Sequence, residues 1–162
     1  MKTLVRDMHA ADWPTVERIY AEGIATGMAT FETETPSWQQ FDAGHLGQPR
    51  VVAIVDGALL GWGALSAVSR RPVYRGVAEV SVYVAAAARG RGLGGLLLES
   101  LVESSEARGL WTLQASIFAE NEASLNVHQR CGFRFVGRRE RIAQRLGVWR
   151  DTILMERRSV KL

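Results

Sequence analysis

One stretch decides the fold: Ala88-Arg-Gly-Arg-Gly-Leu-Gly-Gly-Leu-Leu-Leu98. A β-type run of mostly apolar residues, 77–84, comes before it, and a run with the apolar spacing of a helix follows it to Arg108. This order predicts a strand, a glycine turn and a helix.

The glycine turn is suited to an anionic ligand. Its glycines remove the side chains that would keep a ligand from the backbone, and the first amides of a helix attract negative charge. We expect a phosphate or pyrophosphate there, with Arg89 and Arg91 adding positive charge at the rim. The alternative is a turn that binds no ligand. Several glycines destabilise the start of a helix, however, so a turn with no ligand to accommodate would have no reason to contain so many. The glycines are Gly90, Gly92, Gly94 and Gly95.

Other nucleotide-binding patterns fit this stretch less well. Gly90, Gly92 and Gly95 satisfy G-x-G-x-x-G, but the dinucleotide fold needs a parallel βαβ unit with an acid at the end of the next strand. Glu120 lies only loosely in that region, and the runs before the turn predict antiparallel strands. A nicotinamide enzyme is therefore the second interpretation, and the absence of G-x-x-x-x-G-K-S/T excludes a P-loop.

Size and composition indicate one domain over residues 1–162, because a chain of this length with 47% hydrophobic residues can bury a core. The first residues alternate like a strand and lack an apolar signal core, and no run reaches membrane-spanning length, so we expect a cytoplasmic protein without a membrane partner. The lone Cys131 and three scattered histidines leave neither an internal disulfide nor a metal-ligand spacing.

The net charge of +3 suits either a polyanionic ligand or a nucleic acid. The densest basic region lacks interleaved aromatic residues and matches no docking motif, so we predict a solvated face and no nucleic-acid partner. Its arginines are Arg134, Arg138, Arg139, Arg141, Arg145 and Arg150.

Hydrophobic periodicity predicts the remaining elements. Before the turn, the sequence predicts a strand at 2–7, helices at 13–23 and 37–46, a loop at 27–36, a hairpin around Asp56-Gly57 and the strand 77–84. After the turn, it predicts a helix ending at Gly109 with Leu93, Leu96, Leu97 and Leu101 on one face, a strand at 110–118, and a short helix from Asn121 or Ser124. Strands at 133–137 and 152–156 follow, joined by an arginine-rich excursion.

Two motifs in this order resemble the GNAT superfamily of N-acetyltransferases. Residues 89–94 have the R/Q-x-x-G-x-G/A form of its acyl-CoA-binding turn, and residues 121–133 are similar to its later N-x-x-S/A segment ending in Gly-Phe. The resemblance implies an α+β fold, with helices flanking a mixed, mostly antiparallel sheet of about six or seven strands, splayed after the strand 77–84. It also implies acetyl-CoA as cosubstrate.

Within that superfamily, the chain resembles the phosphinothricin and methionine sulfoximine acetyltransferases over nearly its whole length. The similar segments are Ile19-Tyr20, 29–31, 79–84, the His128 segment and 147–151. This implies acetyl transfer to a small amino-acid-like amine, in a protein that is a homodimer. Three features depart from the subfamily pattern: a short loop at 69–76, Arg145 and Arg150. A protein N-terminus, an aminoglycoside or a non-catalytic coenzyme-binding role are the alternatives.

The resemblance assigns coenzyme contacts to three segments. The turn, including Leu93, would hold the pyrophosphate on its amides. The backbone of Val82, Tyr83 and Val84 would pair with the pantetheine arm like an added strand. Asn121 and Ser124 would hydrogen-bond the coenzyme, although either can also cap a helix.

The resemblance assigns catalysis to Glu79 and His128. An amine is mostly protonated at neutral pH, so a base must remove its proton, and Glu79 interrupts an otherwise apolar strand. A solvent-facing strand residue is the alternative for Glu79. His128 occupies the position where many relatives have a tyrosine that protonates the leaving thiolate, and an acid, a base and a structural residue all remain possible.

The acceptor is expected beside the catalytic strand. Arg71, Tyr74 and Arg75 precede that strand, and guanidinium groups match carboxylate or phosphinate geometry. Phe31, in the loop 27–36, is a further candidate for the pocket wall, and Trp149 for a subunit contact.

Overall fold

The computed structural model describes residues 1–162 as one seven-stranded sheet with four α-helices. The elements are β1 (Thr3–Asp7), α1 (Trp13–Ala25), α2 (Trp38–Gly44), β2 (Arg50–Val55), β3 (Ala58–Ala67), β4 (Val77–Val84), α3 (Leu93–Ala107), β5 (Thr112–Phe118), α4 (Glu122–Arg130), β6 (Arg134–Arg145) and β7 (Val148–Arg158).

The strand order is β1-β2-β3-β4-β5-β7-β6, and every neighbouring pair except β4–β5 is antiparallel. The mixed, mostly antiparallel α+β sheet expected from the sequence is confirmed. The strands up to β4 form an antiparallel meander, so the parallel sheet through residues 51–84 that a nicotinamide enzyme would need does not exist. The single parallel βαβ unit is β4–α3–β5, around the glycine turn.

The helix α3 buries its apolar side against β2, β3 and β4. Leu97, Leu98 and Leu101 are fully buried, as is most of Leu93, but Leu96 is 37% exposed. The prediction that Leu96 shares the buried face was wrong, because the helical period of 3.6 residues places Leu96 about 120° from the direction midway between Leu97 and Leu101. Leu96 instead lines a groove described below.

The sheet splays in the middle of β4. Only Val77, Ala78 and Glu79 pair with β5, whereas β5 pairs with β7 along its whole length to Phe118. Beyond Glu79 the two parallel strands separate, and the β5-facing edge of residues 80–84 pairs with no other strand. This opening gives the chain its candidate site.

The arginine-rich excursion is not a connection but part of a long β6–β7 hairpin. The register is interrupted between Arg139 and Ala143, and Arg141 has a positive φ of 47°. The predicted strands 133–137 and 152–156 fall on β6 and β7 but were too short. Most of β6 and the start of β7 are exposed, so their sequence lacks the apolar alternation of a half-buried strand.

None of the helices combines the length and the hydropathy of a membrane-spanning segment. No group of three or more His, Cys, Asp or Glu side chains is placed to hold a metal ion.

Candidate active site

Two cavities lie on either side of the free edge of β4. The first, a groove of about 770 Å³, runs between the glycine turn, α3 and α4. The second, of about 400 Å³, lies between residues 28–32, β4 and the end of β5. We call them the coenzyme groove and the acceptor cavity. They share Val82, Ser124 and His128, so a ligand in one can reach a ligand in the other at this junction.

The glycine turn forms the floor of the groove. Gly90 and Gly92 have φ angles of +79° and +82°, which side chains rarely adopt. A Cβ built on Gly90, Gly92 or Gly95 would meet no protein atom within 4 Å, so these positions border open space that a side chain would fill. Gly92 caps α3, whose first amides have no partner within the helix. This backbone surface fits an anionic group.

The two arginines of the turn are placed differently. Arg89 lines the groove, whereas the guanidinium of Arg91 donates from Nη2 to the carbonyl of Ala87 at 3.3 Å. Arg89 of the turn and Arg130 of α4 are therefore the two arginines that line the groove.

The free edge of β4 separates the two cavities. The side chains of Val82 and Val84 line the groove, while Tyr83 lies on the other face and stacks on Trp62 with ring centroids 4.8 Å apart. Burial raises the pKa of the Tyr83 hydroxyl, which stays protonated. Because β3 pairs with only one edge of this segment, the peptide groups on the other edge can pair with an extended ligand.

Glu79 lies half-buried at the point where the strands separate and lines the acceptor cavity. Its Oε1 accepts hydrogen bonds from Gln114 Nε2 at 3.0 Å and Ser116 Oγ at 3.3 Å, both on β5. These contacts fix the carboxylate across the opening and leave Oε2 without a hydrogen bond from the protein. A solvent-facing orientation, the alternative from sequence, does not describe this side chain.

His128 lies on α4 at the junction and is only 8% exposed. Its Nδ1 is 2.7 Å from the carbonyl oxygen of Ser124, which can only accept, so Nδ1 carries the proton and Nε2 an unshared pair. Burial lowers the pKa of the imidazole below its usual range. A neutral ring with this tautomer is suited to accepting a proton at Nε2.

Asn121 caps α4, with Oδ1 accepting from the Ser124 amide at 3.2 Å. Its Nδ2 donates to the carbonyl of Met28 at 3.1 Å, so both ends of the amide contact protein. Asn121 lines the acceptor cavity and not the coenzyme groove, whereas Ser124 lines both.

The outer wall of the acceptor cavity is the segment 28–32, and Phe31 packs edge-on against Phe118 with centroids 4.8 Å apart. The structure therefore places Phe31 where the sequence suggested. Glu32 joins Glu79 as a second carboxylate in the lining, which contains no arginine or lysine.

The structure does not bring Arg71, Tyr74 and Arg75 to either cavity. They are exposed near a short 3₁₀ turn, with the Arg71 guanidinium 5.4 Å from the Tyr74 ring centroid and that of Arg75 5.3 Å from the Trp111 ring. The loop leads into the beginning of β4, whereas the cavity opens beyond Glu79.

Sequence reasoning missed several lining residues: Tyr20, Ser116, Phe118 and Thr152. Each belongs to a regular helix or strand, and its cavity position depends on where β4 and β5 separate. No local pattern marks that point, so nothing in the sequence singles out Ser116, Phe118 or Thr152, and Tyr20 lies in a segment similar to the subfamily to which no role was assigned.

Residues 6–133 match the model of the Acetyltransferase (GNAT) family. The chain belongs to this family. It is 34% identical over 165 residues to the L-methionine sulfoximine/L-methionine sulfone acetyltransferase of Pseudomonas paraeruginosa, covering 96% of this chain and 94% of the relative. It is 36% identical over 159 residues to the phosphinothricin N-acetyltransferase of Alcaligenes faecalis, covering 94% and 81%.

The GNAT chain also superposes on a crystal structure of the phosphinothricin acetyltransferase of Sinorhizobium meliloti in complex with acetyl-CoA. The TM-score is 0.88 at 34% identity, with 98% of this chain and 89% of that chain covered. This protein is thus an acetyl-CoA-dependent N-acetyltransferase, and its groove, backbone edge and glycine turn fit that cosubstrate.

Proposed function

We propose that this protein acetylates the primary amine of a small amino-acid-like acceptor of the phosphinothricin or methionine sulfoximine type. The observation that carries the proposal is the junction at His128, where a groove with an anion-binding floor meets a polar cavity containing Glu79. The names of the two relatives described above support this acceptor class.

The coenzyme side relies on backbone groups. The amides of residues 90–95 hold the pyrophosphate, Arg89 adds charge, and the free edge of Val82 to Val84 pairs with the pantetheine arm. Ser124 contributes its hydroxyl at the junction. Bound acetyl-CoA supplies the acetyl thioester, and the remaining chemistry belongs to side chains of this chain.

Glu79 acts as the general base. Its Oε1 is held by Gln114 and Ser116, so Oε2 is the oxygen that takes a proton from the acceptor ammonium group and leaves a neutral amine. The neutral His128 accepts at Nε2 the proton that the attacking nitrogen loses as the C–N bond forms, and it returns this proton to the sulfur as the C–S bond breaks.

The carboxylate of the acceptor has no cationic partner in the lining. We retain Arg71, Tyr74 and Arg75 as its ligands, and because they lie outside the cavity of their own chain, this role requires movement of the loop 69–76 or a second copy of the chain. An Arg71→Gln, Arg75→Gln double variant with unchanged acceptor KM would remove both from the site.

We propose a homodimer formed through the β6–β7 hairpin. β6 is an edge strand, which can pair with another chain. The hairpin also exposes large apolar side chains, and burying them in a subunit interface is favourable. They are Phe135, Val136, Ile142, Leu146, Val148 and Trp149. Sedimentation equilibrium should give twice the chain mass for the wild type and a larger monomer fraction for Trp149→Glu.

The continuous sheet from β1 to β6 supports a single catalytic domain over residues 1–162, and acetyl-CoA dependence supports a cytoplasmic location.

A thiol-release assay over a panel of amines tests the proposed function. We expect methionine sulfoximine and phosphinothricin to stimulate release of coenzyme thiol, and an aminoglycoside and a peptide N-terminus to do so far less. The reverse preference would favour the alternative acceptors. Coenzyme binding without stimulation by any amine would indicate a non-catalytic module.

A further inference from the structure

The outer wall of the acceptor cavity is held from outside the cavity. We call residues 26–32 the acceptor loop; five of its residues, 28–32, line the cavity. Its consecutive carbonyls, those of Gly27 and Met28, accept hydrogen bonds from Arg150 on β7 and Asn121 at the cap of α4. The loop is thus attached to two elements that come about a hundred residues later in the chain.

Arg150 makes four contacts with one guanidinium. Nη1 donates to the Gly27 carbonyl at 3.0 Å, and Nη2 lies 3.7 Å from Met28 Sδ and 3.3 Å from Glu120 Oε2. The guanidinium carbon lies 4.0 Å from the ring centroid of Phe118. Its side chain is 16% exposed, against 56% for Glu120, so the contacts to the loop and the ring are the buried ones.

These contacts connect Arg150 to the cavity wall without placing it in the lining. Met28 and Phe118 line the cavity and touch Arg150 directly, while Phe31 packs edge-on against Phe118. The guanidinium therefore fixes both the loop backbone and the aromatic pair that closes the wall.

A second arginine from the same hairpin contacts the end of α1, just before the acceptor loop. Arg145 donates from Nη2 to the carbonyl of Ile24 at 3.1 Å, at the end of α1.

We propose that Arg150 is a positioning residue that fixes the acceptor loop and thereby sets the affinity for the acceptor amine. The inference rests on the proposed function, since it takes the cavity to be the acceptor site. Arginine is required because its planar fork can stack on Phe118 and donate to Gly27 together, whereas the point charge of lysine can satisfy only one of them.

The test compares Arg150→Gln and Arg150→Lys with Arg139→Gln. Arg139 is exposed on the same hairpin and makes no ion pair or side-chain hydrogen bond. Arg139→Gln therefore removes the same charge from the hairpin without removing a contact to the acceptor loop. With methionine sulfoximine as the acceptor, we expect Arg150→Gln to raise acceptor KM about tenfold while kcat and the KM for acetyl-CoA change less than about twofold. Lysine should recover part of the affinity, and Arg139→Gln should resemble the wild type.

Hydrogen exchange in the absence of acceptor separates this inference from the proposed function. Arg150→Gln should speed amide exchange in residues 26–32 and leave α3 and its glycine turn unchanged, with the melting temperature preserved. Unchanged acceptor KM and unchanged loop exchange would overturn the inference. A fall in melting temperature with parallel changes in both KM values would also overturn it, because the role would then be structural only. If the wild type acetylates no small amine, the proposed function fails, and the exchange data still decide whether Arg150 fixes the loop.

Discussion

The coenzyme groove and the acceptor cavity are built on opposite principles. The floor of the groove comes from one short segment, residues 88–98, and presents backbone amides. The cavity is assembled from α1, the acceptor loop, β4, β5, α4 and β7, and presents side chains. Backbone recognition tolerates side-chain change, so a family can keep one coenzyme while its acceptors diverge. Substitutions in the two regions should therefore change different quantities, the kinetics of the acceptor in one and the affinity for coenzyme in the other.

The largest effect is expected on the acceptor side, for Glu79→Gln. Glutamine preserves the size and can still accept from Gln114 and Ser116, but it cannot take a proton from the amine. We expect kcat to fall about 100-fold or more, with the Kd for coenzyme unchanged. Steady-state kinetics and calorimetric titration measure the two quantities, and Glu103→Gln, an exposed change on α3, is the control. Unchanged kcat would remove Glu79 as the base.

The next effect belongs to the coenzyme side. Gly95→Leu places a side chain in open groove space without a clash, since no protein atom lies within 4 Å of the added Cβ. We expect the Kd for coenzyme to rise by at least about tenfold with the melting temperature preserved. Gly44→Leu is the matched control, because Gly44 also borders open space and lies outside the groove. Equal Kd values for both variants would show that the groove does not bind coenzyme.

A smaller effect is expected at the junction itself, for His128→Gln. The neutral imidazole is the active form, and because burial lowers its pKa, activity should persist below the usual histidine range before falling in acid. Glutamine should reduce kcat about tenfold and remove that part of the pH profile of kcat. If kcat of the variant falls in acid over the same pH range as kcat of the wild type, a group other than His128 causes that fall.

The same pKa shift predicts how stability changes with pH. The unfolded chain binds a proton on His128 at a higher pH than the folded chain, so the free energy of unfolding should fall as pH drops below about 6.5. Denaturant titrations of the wild type should show this loss, and those of His128→Gln should show less of it. An equal loss in both proteins would mean that His128 does not contribute to the pH dependence.

The smallest effect is expected where α4 contacts the acceptor loop, for Asn121→Ala. The variant loses the cap of α4 and the bond to the Met28 carbonyl, so the free energy of unfolding should fall by about 1 kcal/mol. Acceptor KM should rise a few-fold, while the Kd for coenzyme stays the same. A change confined to the coenzyme Kd would instead make Asn121 a coenzyme ligand, as the sequence resemblance implies.

The contrast between a groove floor built from one segment and a cavity assembled from several elements explains how much the sequence could predict. The glycine turn and α3 depend on neighbours in the chain, so residues 77–108 predicted strand, turn and helix in the right order. The hairpin at Asp56-Gly57 was found in the same way. The sheet and the family followed from the order of these local motifs.

The acceptor side could be predicted only in part. The position where β4 separates from β5 is not encoded in a local sequence pattern. The sequence therefore did not predict that Ser116 and Phe118 line the acceptor cavity. The arginines of the loop 69–76 looked suitable by charge alone, and the structure places them elsewhere. Arg150 departed from the resembling pattern, and in the structure its guanidinium donates to the Gly27 carbonyl of the acceptor loop.

The most direct test of the central claim is a crystal structure with acetyl-CoA and an acceptor analogue bound. We predict the pyrophosphate on the amides of residues 90–95, the pantetheine arm along 82–84, and the acetyl group at the junction between Glu79 and His128. A coenzyme bound away from the glycine turn, or an acceptor amine out of reach of Glu79, would contradict the account.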